Sequence, residues 1–559
     1  MTFPAVSAAE WRAQVEAELE GAPFEKAVVH TTAEGLSVEP LYTGLSVDPG
    51  LPGAAPFTRG ASASSSLFAV CTRHERADRA AVEDDLSGGA DALWMSAEAW
   101  RANPGLGLGV ERLVDDVSVE EFTATLPDPA ARFTVGVDPV ASLARGATDD
   151  VDVALAAMAR GAAELRERST DGRGVVASTL PFHDAGADAA DELALALSTG
   201  ALYLDALLDA GLTAAEAAAQ VTLRVAVGRD TFGELCKLRA LRVCWHKLLA
   251  AHGAGEVAPP RVHAVSSWRT LTRRDPWVNL LRVSTQVFAA ALGGAALVTP
   301  ATYDAVDGDS PLGRRAARNT ALVLRDESHL GRVVDPAGGA YFFEARTDAL
   351  AREAWRRFQR LERDGGVVKA LRDGSLAARL ERSWRARGDA IAKRREPITG
   401  VSEFANLDER FSAAAAHAST GLPRHRDAED FEELRERADR LSSGGALPAV
   451  SLVTLGPPKE HRARVGFARG FFSAGGMRAK ESTVESAEGV ACLCGSDERY
   501  AAEAEEVARS LKSRGVKTVL LAGRGGEREA ALRESGVDGF IYLGCDVVKT
   551  LAALLEVAR

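Results

Sequence analysis

The fold of this chain is decided by residues 221–267, VTLRVAVGRDTFGELCKLRALRVCWHKLLAAHGAGEVAPPRVHAVSS. The apolar run 221–227 has the length of a buried strand, and residues 232–252 have the length and apolar spacing of a helix. A second short apolar run follows at residues 263–267. Short strands separated by helices in this way predict βαβ units, whose strands pair in parallel.

The same alternation extends outward over about residues 60–395. It predicts further strands at residues 175–180 and 295–300, and a helix at residues 191–208. A series of βαβ units over about 300 residues closes most simply into one (β/α)8 barrel. We therefore expect an α/β fold with a TIM barrel over residues 60–399.

A second and smaller βα series occupies residues 446–559. Its predicted strands are residues 450–455, 490–494, 518–522 and 540–543, and its predicted helices are residues 461–474, 498–514 and 546–557. This pattern predicts a doubly wound sheet of the flavodoxin-like type. Residues 400–445 between the two series are polar and charged, and they predict a linker with one helix at residues 428–441.

Residues 1–59 predict a short helix followed by an extended arm. Ser7 and Glu10 have the spacing of a capping box, in which each side chain bonds a backbone amide at the start of a helix. The helix carries one apolar stripe, formed by Trp11, Val15 and Leu19. A helix this short is marginal alone and must pack its stripe on something, either its own chain or a second subunit. Residues 40–56 predict extended chain, long enough for the helix to reach a neighbour.

Composition excludes several classes of protein. The 559 residues include 67 Lys and Arg against 79 Asp and Glu, a net charge of −12, which argues against a nucleic-acid binder. Six cysteines are too few for a disulfide framework and suit a reducing compartment. No secretory signal is recognisable, and no apolar run reaches the roughly 18 residues of a membrane span. We expect a cytoplasmic protein without a membrane segment.

Four segments resemble, in order along the chain, motifs of the adenosylcobalamin-dependent acyl-CoA mutases, the family of methylmalonyl-CoA mutase and its relatives. They are LPGAAPFTRG at 51–60, DPWVNLLR at 275–282, RNT at 318–320 and DPAGG at 335–339. The resemblance runs from about Trp11 to the C-terminus. It implies a barrel followed by a cobalamin-binding type of domain, and chemistry that uses adenosylcobalamin.

The barrel segments that carry this chemistry in the family depart from its pattern. The family's Y-P-T-M-Y-x-x-R-P-W-T stretch is replaced by ASASSSL at residues 61–67. In the counterpart of its Y-H-x-Q-E-A-G-A loop, Pro181 stands where a His bonds the substrate carbonyl, and proline offers no donor. In the counterpart of its H-C-Q-T-S-G, Val265 stands where the family has Gln. The resemblance therefore implies no catalytic residue on this chain.

The second domain departs in the same way. The family's D-x-H-x-x-G, whose His ligates cobalt and whose Asp fixes the His tautomer, reads KEHRAR at residues 459–464. His461 is kept, but Lys459 replaces the Asp and Arg464 replaces the Gly. His461 is then either a vestigial ligand position or a solvent-facing helix residue, and the two neighbouring cations favour the second. We expect a degenerate cobalamin-binding domain that holds no corrin.

Two further groups could carry chemistry. His183 beside Asp184 could form a general acid–base pair, but adjacent residues in a loop often diverge and nothing nearby is seen to complete a site. Cys492 and Cys494 lie on one face of a strand, yet a metal site would need further ligands, so buried thiols are the simpler interpretation. No metal site is predicted.

These departures resemble the non-catalytic small subunits that occur in heterodimeric members of the family. That resemblance implies that a catalytic large subunit holds adenosylcobalamin and interconverts methylmalonyl-CoA and succinyl-CoA. This chain would stabilise that subunit, partly through the stripe of Trp11, Val15 and Leu19. Two alternatives stay open: an active acyl-CoA mutase with a rewired site, which could use His183, and a module that binds corrin or acyl-CoA.

Overall fold

A computed structural model describes residues 6–557 apart from residues 46, 65–66, 104, 108, 125–131, 149, 170, 258, 410–419 and 443–445. Its helices are α1 Ala8–Glu18, α2 Phe24–Ala27, α3 Arg79–Ser87, α4 Ala97–Ala102, α5 Val119–Thr123, α6 Pro139–Ala144, α7 Val151–Arg168, α8 Leu180–Asp184, α9 Ala189–Asp209, α10 Ala214–Gln220, α11 Thr231–Ala251, α12 Val278–Leu292, α13 Pro311–Leu322, α14 Tyr341–Arg363, α15 Gly366–Arg372, α16 Ser375–Ala392, α17 Glu429–Leu441, α18 Pro458–Ala474, α19 Asp497–Ser513, α20 Glu529–Glu534 and α21 Val547–Val557. Its strands are β1 His30–Thr31, β2 Ser37–Val38, β3 Ala69–His74, β4 Ala92–Met95, β5 Glu111–Asp115, β6 Phe133–Val137, β7 Gly172–Ser178, β8 Val221–Val227, β9 Arg261–Ser266, β10 Leu297–Thr299, β11 Ala449–Thr454, β12 Arg478–Ser482, β13 Val490–Cys494, β14 Thr518–Ala522 and β15 Gly539–Ile541.

Strands β3 to β10 close into an eight-stranded parallel barrel, which confirms the predicted TIM barrel. The barrel closes where Leu297 of β10 pairs with Ala69 of β3. Every residue of β8 is buried, because helices cover the outside of such a barrel and side chains fill its inside. The strand predicted at residues 175–180 corresponds to β7, which spans Gly172–Ser178. The short helix α8 follows it because Pro181 suits the first turn of a helix.

The C-terminal strands form a separate parallel sheet in the order β12-β11-β13-β14-β15. Strands β13 and β14 have the predicted limits, since each is a short apolar run that is wholly or largely buried. The sequence gives no apolar signal for β12, which reads RAKES and lies at the edge of the sheet, half-exposed. The proposed domain limits at residues 60, 400 and 446 stay predictions.

Three of the family-like segments brace the barrel. Arg59 donates to Asp335 at 3.2 Å, and Arg239 of α11 donates to the same carboxylate at 3.1 Å. Arg318 of α13 binds Asp84 of α3 at 3.1 Å. These ion pairs join elements that are distant in the sequence, so the three motifs contribute contacts that stabilise the barrel.

The N-terminal helix α1 begins with the predicted capping box: the Glu10 amide donates to Ser7 Oγ at 3.2 Å, and the Ser7 amide donates to the Glu10 carboxylate at 2.7 Å. No residue of α1 is fully buried. The stripe is half-buried, and Trp11 packs edge-on against Phe24, with ring centroids 6.2 Å apart. The structure thus leaves part of the stripe open to solvent.

The arm after α1 binds its own barrel at a position earlier in the chain than expected. Glu34, between β1 and β2, accepts from Arg346 of α14 at 3.0 Å and from the Ala189 amide of α9 at 3.3 Å. Tyr42 then packs edge-on against Phe342, with ring centroids 5.6 Å apart. The expectation that residues 40–56 carry the helix towards a neighbour is therefore wrong, because α1, α2 and β1 precede this anchor in the described chain.

Candidate functional site

The carboxyl ends of barrel strands form the mouth at which barrel enzymes place their chemistry. Two of the three departures from the barrel motifs lie near it: Pro181 in α8, directly after β7, and Val265 on β9. The serine-rich segment 61–67 lies partly outside the described residues, at 65 and 66. Val265 packs with Cys71 and Leu113 in an apolar layer inside the barrel, so this position offers no hydrogen bond to an acyl group.

Large side chains fill the barrel axis. Arg224 of β8 donates to both carboxylate oxygens of Asp115 on β5, at 2.7 and 3.0 Å. Trp94 donates to the same carboxylate at 2.8 Å, and the Arg224 guanidinium lies 4.2 Å from the Trp94 ring centroid. Arg224 and Trp94 are each 4% exposed. We call this cluster the axial plug, because its side chains bind one another across the inside of the barrel.

His263 completes the plug as a neutral ring. Its Nδ1 accepts from Arg224 Nε at 3.1 Å, so its Nε2 carries the proton and donates to Thr299 Oγ1 at 2.8 Å. Burial, with the charges of Arg224 and two further arginines, holds the pKa of His263 well below its ordinary value. A ring with both nitrogens engaged and no tendency to protonate is not set up as an acid or a base.

His183 bonds on both sides of its ring. Its Nδ1 is 2.6 Å from Glu192 Oε1 and its Nε2 is 2.6 Å from Ser267 Oγ. Asp184 instead accepts from Arg424 at 3.1 Å. The expected divergence of His183 and Asp184 is confirmed. The expectation that nothing nearby completes a site is wrong, because Ser267 and Glu192 do.

Ser267, His183 and Glu192 stand in the order of a nucleophile, a base and a carboxylate that orients the base. Each is at most 2% exposed, so the hydroxyl is closed to a substrate. Lys237 binds the same carboxylate, with 3.2 Å between Nζ and Oε1. Burial opposes ionisation of Glu192, but the charges of Lys237 and His183 outweigh it and lower its pKa to about 2. The cluster is a buried ionic network that ties together the elements around the mouth.

Part of the linker lies over the mouth as a strap, defined here as residues 420–428. Arg424 binds Asp184, and its guanidinium lies 4.1 Å from the ring centroid of Trp268, the residue after Ser267. The amide of Asp427 donates to the Arg269 carbonyl at 2.9 Å. The strap thus covers the residues adjoining both His183 and Ser267.

A bidentate ion pair holds the strap down. Both Asp427 carboxylate oxygens accept from Arg387 of α16, at 2.7 and 2.8 Å. Although burial opposes its ionisation, Arg387 keeps the pKa of Asp427 well below its usual range. A charged pair of this geometry favours one fixed position of the strap.

His461 is buried in the first turns of α18, at 9% exposure, so the expectation of a solvent-facing residue is wrong. The ring turns under the loop after β11, where Nδ1 donates to the Gly456 carbonyl at 3.1 Å. That carbonyl supplies the acceptor that the family's Asp would supply, so Lys459 in place of Asp does not by itself disable the ring.

Arg464 and Tyr500 fill the carboxyl edge of the C-terminal sheet, where doubly wound sheets bind their ligands. Arg464 donates to the Ala522 carbonyl at 2.6 Å, and a Cβ added to Gly523 would come within 2.4 Å of its Nη1. The buried Tyr500 hydroxyl is 2.8 Å from the same carbonyl and accepts from the Gly495 amide at 3.0 Å. These two side chains therefore occupy the carboxyl edge of the sheet.

The thiols of Cys492 and Cys494 are fully buried, as expected, and burial raises the pKa of the Cys492 thiol well above its ordinary value. Within the described ranges, no group of three or more His, Cys, Asp or Glu side chains is placed to hold a metal ion. Among the helices of the described residues, none is long and apolar enough to cross a membrane.

Comparison with known proteins bears on the whole chain. The family model described as methylmalonyl-CoA mutase matches residues 154–454. The methylmalonyl-CoA mutase small subunit of Streptomyces virginiae is 39% identical, over 99% of this chain and 97% of that protein. The small subunit of Propionibacterium freudenreichii subsp. shermanii is 34% identical over 99% and 95%, and that of Porphyromonas gingivalis is 28% identical over 99% and 97%.

Proposed function

The chain belongs to the methylmalonyl-CoA mutase family, and from that premise we propose that it is the non-catalytic small subunit of a heterodimeric mutase. Its partner would be a catalytic large subunit that interconverts methylmalonyl-CoA and succinyl-CoA. The names of its relatives support the role of a small subunit. In this proposal the chain is retained because it stabilises its partner, although its own barrel is blocked.

The observation that carries the proposal is the axial plug. Arg224, Asp115 and Trp94 bind one another across the inside of the barrel, and the strap covers the mouth above them. Members of this family work with a large cofactor and an acyl-CoA at that mouth. Neither finds room here, and Pro181 and Val265 offer no donor to an acyl group.

The C-terminal domain supports the same view. Its strand order, numbered along the chain, is 2-1-3-4-5, which is the flavodoxin-like order. We propose a flavodoxin-like domain that has lost cobalamin binding, because Arg464 and Tyr500 occupy the edge at which the cofactor would sit. Adenosylcobalamin, on which the family depends, would then be held by the large subunit only.

The interface is proposed to include the stripe of α1. Trp11, Val15 and Leu19 remain half-buried, and α1 lies beyond the anchor at Glu34. A short helix gains most of its stability from packing an apolar face, so a partner that covered this stripe would stabilise the helix. Six free and buried cysteines suit a reducing compartment, in keeping with the proposed cytoplasmic location.

The test is turnover by the separate and combined chains. This chain alone, given adenosylcobalamin and methylmalonyl-CoA, should form no succinyl-CoA, whereas the pair should. The large subunit alone is the control for the stabilising role, and its activity should decay faster without this chain. Turnover by this chain alone would overturn the proposal.

One observation favours a rewired enzyme as the second candidate: the Ser267–His183–Glu192 arrangement. The burial of these three side chains favours a structural role instead. His183→Gln in the assembled pair separates the two, because a rewired site would lose its own turnover, while a structural network would lose stability and leave the partner's turnover unchanged.

A further inference from the structure

Helix α17 belongs by its packing to the C-terminal domain, although it precedes the first strand of that domain in the chain. Phe431, Leu434 and Ala438 of α17 are buried. They share one apolar core with Leu452 of β11 and Phe471 of α18. Because this face of α17 is enclosed by the C-terminal core, we expect the helix to stay with the C-terminal sheet in any movement of the chain.

A second face of α17 docks on the barrel through three carboxylates. We call Glu432, Glu436 and Asp439 the acidic ladder, since their spacing of four and then three residues places them on one side of the helix. Glu432 accepts from the backbone amides of Arg273 and Arg274, at 2.6 and 3.3 Å. Arg273 also donates to Glu436 at 2.6 Å, and Arg274 donates to Asp439 at 2.5 Å. The ladder therefore meets two consecutive arginines of the segment between β9 and α12.

The burial of these two arginines makes the docked position of α17 favourable. Arg273 is 4% exposed and Arg274 is 1% exposed, so water does little to stabilise their charges. A buried guanidinium that loses a carboxylate partner costs more free energy than the loss of a surface ion pair does. We therefore expect α17 to remain docked on the barrel in the native chain.

The acidic ladder is connected directly to the strap that covers the mouth. The strap ends at residue 428, and α17 begins at Glu429. Arg426 of the strap forms an ion pair with Glu432, with 2.6 Å between the two side chains, and the same carboxylate binds the barrel amides. One carboxylate thus links the strap, α17 and the barrel.

Beside α17 the two domains enclose a cavity. The end of α16 reaches the C-terminal core through Ile391. Next to this contact, a cavity of about 450 Å³ opens between α16 and α21, and its lining includes Asp389, Asp546 and Lys549. Close packing does not hold the domains together at this cavity, which leaves a larger part of that task to α17.

We propose that α17 and the strap form a single latch, which holds the C-terminal domain on the barrel and the strap over the mouth together. Loss of the acidic ladder would loosen both, because Glu432 would no longer be fixed against the barrel amides and Arg426 would lose a fixed partner. The mouth then stays closed for as long as the C-terminal domain is docked. This inference concerns the isolated chain and does not rest on the proposed function.

The latch is tested by hydrogen exchange of the full chain, measured by mass spectrometry. The variant E436A/D439A removes two carboxylates of the ladder, while alanine favours the helix and the apolar face of α17 stays intact. The matched control is D430A/E433A, which removes the same charge from the same helix at two exposed positions outside the ladder.

We expect E436A/D439A to raise the exchange rates of residues 271–275 and of the strap roughly tenfold, with β13 exchanging as in the wild type. The control should leave all three segments unchanged. Faster exchange at residues 271–275 with an unchanged strap would overturn the coupling, and unchanged rates in both segments would overturn the latch altogether. If β13 also exchanges faster, the C-terminal domain itself has been destabilised, and Glu436→Ala alone takes the place of the double variant, with an expected rise of roughly threefold in the same two segments.

Unfolding in urea tests the same latch in the wild type. All eight tryptophans lie between residues 11 and 384, so their fluorescence reports on the barrel and the arm, whereas Cys492 and Cys494 are buried in β13 of the C-terminal domain. We expect thiol labelling of these cysteines and the fluorescence change to share one midpoint in the wild type and to separate in E436A/D439A. Labelling that precedes the fluorescence change in the wild type would show that the C-terminal domain opens by itself, and would overturn the inference.

Discussion

Removing Arg224 should destabilise the barrel far more than removing a surface arginine with the same geometry. Arg224→Met takes away two charge-assisted hydrogen bonds to Asp115 and the bond to His263. Each bond to a charged group contributes about 1.5–3 kcal/mol. Asp115 stays partly solvated and keeps its bond from Trp94, which lowers the penalty of an unpaired charge. We therefore expect a loss near the lower limit for a broken buried pair, about 3 kcal/mol.

The matched control is Arg101→Met. Arg101 also makes two bonds to one carboxylate, that of Glu121, at 2.7 and 3.0 Å, but both side chains are exposed. Water replaces such bonds readily, so this variant should unfold like the wild type.

Urea unfolding monitored by tryptophan fluorescence measures the difference, with Trp94 inside the plug as one reporter. Arg224→Met should shift the barrel transition to clearly lower urea, and about 3 kcal/mol corresponds to a rise of roughly 150-fold in the unfolding constant. If Arg224→Met and Arg101→Met shift the transition equally, the plug does not hold the barrel together as argued.

Three further outcomes follow from the same contacts. The pKa of Glu192 is about 2 in the folded chain and higher in the unfolded chain, so its contribution to stability is present above about pH 4.5 and is lost as the pH falls towards 2. Glu192→Gln should therefore flatten that part of the curve of stability against pH. An unchanged curve would contradict the ionic network. Deletion of residues 1–28, which spares the anchor at Glu34, should weaken binding to the large subunit and leave the melting temperature of the barrel unchanged. The double variant Trp11→Ala with Leu19→Ala should have the same two effects. Undiminished binding would show that the stripe packs only on its own chain. A fluorophosphonate probe should not label Ser267 in the native chain, and stoichiometric labelling would show that the hydroxyl is accessible.

Much of the scaffold is predictable because it rests on local patterns. Strands β8, β13 and β14 have the limits expected from their apolar runs, since buried parallel strands show an uninterrupted hydrophobic signal. Strand β12 has no such signal, because an edge strand exposed to solvent tolerates the sequence RAKES. The strand predicted to reach residue 180 ends at Ser178, because Pro181 lies in the first turn of the helix α8 that follows.

The site is less predictable because its contacts join residues that are distant in sequence. Glu192 and Ser267 each lie at the boundary of a predicted element, yet nothing in their spacing indicates that His183 bonds both. His461 is buried because its ring lies under the loop after β11. The charges of its neighbours in the sequence, Lys459 and Arg464, do not predict this burial. The effect of Arg464 in place of Gly can be interpreted from the sequence alone, because a large charged side chain changes the space at its own position.

If this chain is inactive, as we propose, the ion pairs that brace the barrel explain how the family resemblance persists in it. Arg59, Asp335 and Arg318 hold the ends of barrel elements together and keep the fold under any function. Val265 and Pro181 make no such ion pair: Val265 packs in an apolar layer, and Pro181 lies in the first turn of α8. Resemblance in the first set therefore indicates the fold, and only the second set speaks to catalysis.

The central claim, that this chain holds no cofactor and works through its partner, is tested most directly by counting adenosylcobalamin in the assembled pair. Equilibrium dialysis of the purified heterodimer with excess adenosylcobalamin gives the bound cofactor per pair, and the same measurement on this chain alone gives its own share. We predict one cofactor per heterodimer and none on the isolated chain, with His461→Ala changing neither value. Two cofactors per heterodimer, with one lost in His461→Ala, would contradict the account.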